Sequence, residues 1–151
     1  MTTNRIEASV VPTVDDCRLI PLPRIKRRQG NITVVESTTH VPFEIARVYY
    51  LYDIPGGIAR GGHGHRRLEQ VMVAAMGSFD VVFDDGERKR TMTLNRAYNG
   101  IYIPRMIWRE LLNFSSGAVC LVMASLTYDE SDYFRDYEEF LSVRRNLRGE
   151  R

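Results

Sequence analysis

The sequence predicts an all-β domain, a barrel or sandwich of short strands finished by one short helix near the C-terminus. Three observations carry this prediction. Segments rich in branched and aromatic residues recur between residues 32 and 126, separated by turn signals such as Asp84-Asp85-Gly86 and Asn99-Gly100. Only residues 129–143 space their apolar side chains by three and four, as one face of a helix requires. No regular alternation of strands with long helical segments runs through the chain, which disfavours a doubly wound sheet.

The elements follow in order. Residues 1–8 are polar and read as a frayed end, while Val10-Val11 and residues 17–23 are short and broken by proline, as in an extended arm or edge strands. Residues 24–31 form a polar link. Strands are expected at 32–36 and 43–52, after which Pro55-Gly56-Gly57 turns the chain. Residues 68–83 are apolar and β-compatible, with a break at Gly77-Ser78. Residues 88–94 would complete a hairpin across the Asp84-Asp85-Gly86 turn. Further strands are expected at 101–104, 108–113 and 118–126. The helical stretch 129–143 carries Tyr133, Phe134, Tyr137, Phe140 and Leu141 on one face, with an acidic start and a basic finish that suit the helix dipole. The chain accordingly divides into an extended N-terminal arm at 1–29, a folded domain at 30–143 and an exposed basic tail at 144–151.

Composition narrows the function classes. A chain of 151 residues fits one domain, and 44% hydrophobic with 26% charged residues is the balance of an ordinary soluble globule. Twenty-one basic against 19 acidic side chains leave a net charge of +2, too even to call for a nucleic-acid partner. Local arginine clusters at 24–28, 60–67 and 144–151 suit a small anion instead. No apolar run is long enough to span a bilayer, residues 1–9 lack the layout of a secretion signal, and a cytoplasmic location is expected. Cys17 and Cys120 are too few for a disulfide framework, and Cys120 lies in an apolar run as a buried thiol would.

The most informative stretch is residues 57–70, containing Arg60-Gly61-Gly62-His63-Gly64-His65 and Leu68-Glu69-Gln70. In an extended strand His63 and His65 point to the same side, because side chains alternate with period two. Two of the chain's three histidines thus share one face. Surface placement or plain packing is the bland alternative; the chemical ones are metal binding and proton transfer near neutral pH. Arg60, Arg66 and Arg67 add guanidinium groups matched to phosphate oxygens.

Gly57, His63, His65 and Glu69 resemble the first motif of the cupin superfamily, which implies an RmlC-like jelly-roll β-barrel. Where the second cupin motif places a histidine after a proline, this chain has Pro104 followed by Arg109, with Asn113 four residues on. A cation in place of a neutral ligand argues against a typical metal centre. The chain further resembles the sugar 3,4-ketoisomerases, the WxcM-like cupins acting on dTDP-4-keto-6-deoxyglucose. The shared pieces are residues 42–50, 60–65, 68–70, Gly77-Ser78, Asp84-Asp85-Gly86, 102–108, 114–116 and 128–133.

That resemblance implies proton transfer through an enediolate, with no metal and no cofactor. It implies His63 as base and His65 as relay, although the residues themselves are equally compatible with the reverse. It also implies Arg60 on the diphosphate or a sugar oxygen, Arg47 on phosphate, Tyr49 lining the pocket or donating a hydrogen bond, Arg109 in the pocket wall, and a homodimer with exchanged N-terminal strands. Glu69 is expected to orient a histidine, since a carboxylate can fix an imidazole tautomer. Competing readings are a 3,5-epimerase of a 4-keto sugar, a weak metallo-cupin enzyme and a non-catalytic sugar-nucleotide-binding cupin.

Overall fold

The computed structural model describes residues 10–149. In chain order the strands are β1 (Arg18–Pro21), β2 (Arg24–Arg27), β3 (Gly30–Thr33), β4 (Arg47–Leu51), β5 (Arg60–His65) and β6 (Gln70–Met76). They continue with β7 (Phe79–Asp84), β8 (Lys89–Leu94), β9 (Asn99–Ile103), β10 (Trp108–Leu112), β11 (Val119–Ala124) and β12 (Tyr133–Phe134), then helix α1 (Tyr137–Leu147). Ten of these strands form two five-stranded sheets, ordered β1-β9-β6-β11-β4 and β12-β5-β10-β7-β8, with every pair antiparallel.

The alternating strands bury one face of each sheet against the other. Met72, Phe79, Phe83, Ile101, Leu111 and Val122 fill the space between the sheets. The opposite face of the first sheet is partly covered by Val41 and Phe43, packed on Val71, Val73 and Met123. Helix α1 closes the outside of the second sheet by setting Phe140 against Trp108 and Phe134. The fold is cupin-like. Among the described residues, however, neither sheet closes on itself, so a two-sheet sandwich stands where a barrel was expected.

Three other expectations change. The helix begins at Tyr137, with Asp136 as its N-cap accepting from the Glu139 amide at 3.1 Å. Upstream, Tyr133 and Phe134 pair with His65 and Gly64 and supply the neighbour that β5 would otherwise lack. The division at 29/30 falls inside the β2–β3 hairpin. The division at 143/144 falls inside α1, and Arg144 is buried rather than part of an exposed tail. Its Nη1 donates to the carbonyls of Pro12 (2.8 Å) and Met106 (2.6 Å).

The N-terminal segment also packs onto both sheets. The Asp85 carboxylate accepts from the Val14 amide at 3.0 Å, Arg90 donates to the Cys17 carbonyl at 2.8 Å, and β1 pairs with β9. The frayed end expected at residues 1–8 lies outside the described residues.

Candidate active site

Strand register assembles the site. Arg109 on β10 lies opposite His63, and Tyr133 on β12 lies opposite His65. Directly opposed residues of antiparallel strands share a face, so all four side chains converge on the interior. The imidazoles stand edge to face with centroids 4.9 Å apart. The Tyr133 ring contacts both, 5.2 Å from His63 and 4.4 Å from His65. From the facing sheet, β4 turns Arg47, Tyr49 and Leu51 inward toward the same space.

The result is a cavity of about 460 Å³. His63, Arg109, Tyr49 and Tyr133 form its polar wall, Arg47, Arg60 and Arg135 contribute cations, and Met72, Leu111 and Val122 add an apolar part. Arg60 is exposed. Arg47 sits between the rings of Tyr49 and Tyr128, 5.2 and 5.5 Å from their centroids, and its Nε and Nη2 are buried without a hydrogen-bond acceptor among the described residues. Arg135 lies over the Tyr133 ring and donates to Glu130 through Nε (2.9 Å) and Nη2 (3.0 Å). The structure therefore brings His63, Arg47, Tyr49, Arg60 and Arg109 to one cavity. His65 sits behind its wall, fully buried.

Arg109 is the central buried cation. Nη1 donates to Gln70 Oε1 at 2.6 Å, while Nε and Nη2 donate to the Ile107 carbonyl at 3.2 and 2.9 Å. Gln70 Nε2 passes the chain on to the Tyr49 hydroxyl at 2.9 Å. Burial brings the Arg109 pKa down to about 10, which leaves it charged at neutral pH. Burial also raises the Tyr49 pKa, keeping its hydroxyl protonated and able to donate.

Glu69 does not orient a histidine. It accepts a short hydrogen bond from the Tyr102 hydroxyl, and its amide donates to Ser125 Oγ at 2.8 Å. The carboxylate against an imidazole is Asp132, whose Oδ2 lies 3.2 Å from His65 Nδ1. Sequence reasoning missed Asp132 and Arg135 as site residues because both lie in the stretch read as helix. The motif Tyr128-Asp129-Glu130-Ser131-Asp132-Tyr133 was visible, but its spacing gave no sign that it folds back onto β5.

Both histidines are held neutral. Burial, then the charges of Arg109 and Arg135, pull the His63 pKa down to about 3. Burial, then Arg109 and His63, push His65 lower still. A histidine whose folded pKa lies below its unfolded value leaves stability intact above that unfolded value, 6.5, and removes it as the pH falls. Between about pH 7.5 and about pH 5.5 the unfolding free energy is expected to drop by on the order of 1–3 kcal/mol. Urea midpoints that do not move over this interval would contradict the assignment.

Among the described residues no three His, Cys, Asp or Glu side chains converge as a metal site needs. The third cupin ligand position holds the Arg109 guanidinium, a charge that repels a dication.

Paired imidazoles beside a buried cation, on a two-sheet cupin-like scaffold, are suited to moving protons. The chain belongs to the FdtA family (WxcM-like, C-terminal), whose family model matches residues 15–145. It is 40% identical over 123 residues to the TDP-4-oxo-6-deoxy-alpha-D-glucose-3,4-oxoisomerase of Aneurinibacillus thermoaerophilus, covering 82% of this chain and 88% of that one. It resembles the crystal structure of QdtA, a sugar 3,4-ketoisomerase from Thermoanaerobacterium thermosaccharolyticum in complex with TDP. The TM-score is 0.86 at 34% identity, over 89% of this chain and 98% of that one. The X-ray structure of WlaRB, a TDP-quinovose 3,4-ketoisomerase from Campylobacter jejuni, gives a TM-score of 0.81 at 42% identity, over 84% and 98% of the two chains.

Proposed function

We propose that this protein is a sugar-nucleotide 3,4-ketoisomerase converting dTDP-4-keto-6-deoxy-D-glucose to a dTDP-3-keto-6-deoxyhexose. The observation that carries the reading is the pair of imidazoles set edge to face, one on the cavity wall and one directly behind it. The 4-carbonyl acidifies the proton on C3. His63 takes that proton, and the C–H electrons move into an enediolate whose negative charge collects on O4. His65 serves as the relay that removes the proton of the 3-hydroxyl and supplies one to O4. The proton held by His63, exchangeable with solvent, is then delivered to C4, which frees the base and leaves the carbonyl on C3, so that atoms and electrons balance within the sugar without a redox partner or a cofactor.

The remaining groups fit this chemistry. Arg47, whose Nε and Nη2 have no acceptor among the described residues, and Arg60 suit the diphosphate. Arg109 and the Tyr49 hydroxyl stabilise developing charge on the oxygens. Met72, Leu111 and Val122 suit the apolar deoxy carbon. The cation at the third ligand position weighs against the metallo-cupin alternative.

A homodimer with exchanged N-terminal strands is the assembly the family resemblance favours. Val48, Tyr50 and Tyr52, exposed on or beside edge strand β4, offer an apolar surface for it. No helix among the described residues is long and apolar enough to cross a membrane, and a cytoplasmic setting suits two free, buried cysteines.

Proton NMR of the protein with dTDP-4-keto-6-deoxyglucose in deuterated buffer tests the reading. Appearance of a 3-keto sugar, at a rate unchanged by EDTA, is expected. Deuterium at C5 as well as C3, with no 3-keto product, would replace this reading with 3,5-epimerisation. Saturable binding without turnover would replace it with a binding protein.

A further inference from the structure

We infer that Asp132 is a positioning residue that fixes the tautomer of His65, and so sets which nitrogen of the relay histidine can accept a proton. The inference rests on the ketoisomerase reading for its kinetic consequence, but not for its structural one.

Asp132 is 3% exposed, and its carboxylate is held from three directions. Oδ1 accepts from the Arg67 amide at 2.8 Å, and Oδ2 accepts from the Leu68 amide at 3.2 Å while lying 3.2 Å from His65 Nδ1. The Asp132 carbonyl also accepts from the Arg66 amide at 2.8 Å, and the next residue, Tyr133, pairs with His65 itself. The carboxylate is therefore fixed in place before any substrate arrives, and it offers the imidazole an acceptor.

A neutral imidazole has one N–H and one lone pair, and a carboxylate beside Nδ1 draws the N–H to that nitrogen. Nε2 is left with the lone pair. It is buried and has no donor or acceptor among the described residues. His65 thus enters the reaction as a proton acceptor at Nε2, as removal of a hydroxyl proton requires.

Asp132→Asn reverses the arrangement with little change of shape. Turning the new amide so that its oxygen keeps the shorter Arg67 bond places its NH₂ against Leu68 and His65 Nδ1. The opposite turn would set NH₂ against the Arg67 amide at the shorter distance. The first orientation sacrifices the weaker bond and is preferred. It donates to Nδ1, and the imidazole proton moves to Nε2.

The test combines ¹⁵N NMR of the histidine rings with two rates in deuterated buffer, loss of the C3 proton from the starting sugar and formation of the 3-keto sugar. In the unaltered protein the His65 proton is expected on Nδ1. In Asp132→Asn it is expected on Nε2, with product formation slowed on the order of 10²–10⁴-fold, the range of a misplaced acid–base group. C3 exchange, which needs only His63, continues. A structural role alone would slow both rates together and leave the tautomer as it was.

Finding Nε2–H in the unaltered protein overturns the inference even if the variant does not fold. Equal loss of both rates with the Nδ1 tautomer retained overturns it as well. Absence of any 3-keto product from the unaltered protein would strike the ketoisomerase reading instead, while the tautomer measurement would still decide the role of Asp132.

Discussion

Replacing His63 with asparagine is expected to lower turnover by on the order of 10³-fold, the central range for loss of a general base. Asparagine keeps a planar polar group at the cavity wall but cannot take up the C3 proton. The folded protein should persist, because His63 is only partly buried and its Nε2 makes no hydrogen bond among the described residues. Substrate binding should also persist, since the guanidinium groups of Arg47 and Arg60 are untouched. The diagnostic is deuterium at C3: in His63→Asn both exchange and product formation should fall. If exchange survives in His63→Asn and disappears in His65→Asn, the two histidines hold the opposite roles.

Arg109→Met should also lower activity strongly, by a different route. Methionine preserves length and apolar volume while removing the only charge in the Arg109–Gln70–Tyr49 chain. The guanidinium is fully buried against neutral partners, the Gln70 amide oxygen and the Ile107 carbonyl. Its loss relieves a large desolvation cost but takes the donors from two oxygens, those of Gln70 and Ile107, and the two effects oppose each other. Stability is therefore expected to change by no more than about 2 kcal/mol in either direction. Activity should fall about 10²–10³-fold, as when a donor to developing oxyanion charge is lost.

The accompanying pH behaviour is the sharper readout. Arg109 follows burial as a cause of the depressed pKa of both histidines. Without it, their pKa values rise toward 6.5, and the protonated, inactive form appears at higher pH than in the unaltered enzyme. Imidazole shifts followed by NMR should stay flat from about pH 8 to about pH 5 in the unaltered protein and begin to titrate in the variant. Identical curves would show that burial alone keeps the rings neutral.

Much of this site was legible in the sequence because strand alternation is a local property. His63 and His65 are separated by one glycine, so their common face followed from spacing alone. Arg109 was found by its offset from Pro104, and the turns at Asp84-Asp85-Gly86 and Asn99-Gly100 delimited strands that the structure contains. Glu69 failed because the bend between β5 and β6 resets the alternation. Glu69 turns toward Tyr102 and Ser125, and the next residue, Gln70, takes the interior position.

Asp132 failed for a different reason. Tyr133, Phe134, Tyr137, Phe140 and Leu141 do recur at helical spacing, and nothing local distinguishes the first two from the rest. The unfilled edge of β5 overrides that periodicity, because a buried strand must pair its backbone. Arg144 was hidden in the same way: in sequence it begins a run of cations, and in the fold it satisfies two carbonyls from distant segments.

The return of residues 132–134 to β5 ties competence to the order of synthesis. A ribosome releases His63 and His65 long before it releases Asp132, Tyr133 and α1, so the nascent chain carries both imidazoles without the groups that set them. Through that interval the sheets can pair while the reaction centre stays unfinished. Activity would therefore switch on late and all at once, when the segment from residue 129 onward docks. A polypeptide halted before residue 129 would keep both histidines and remain inert.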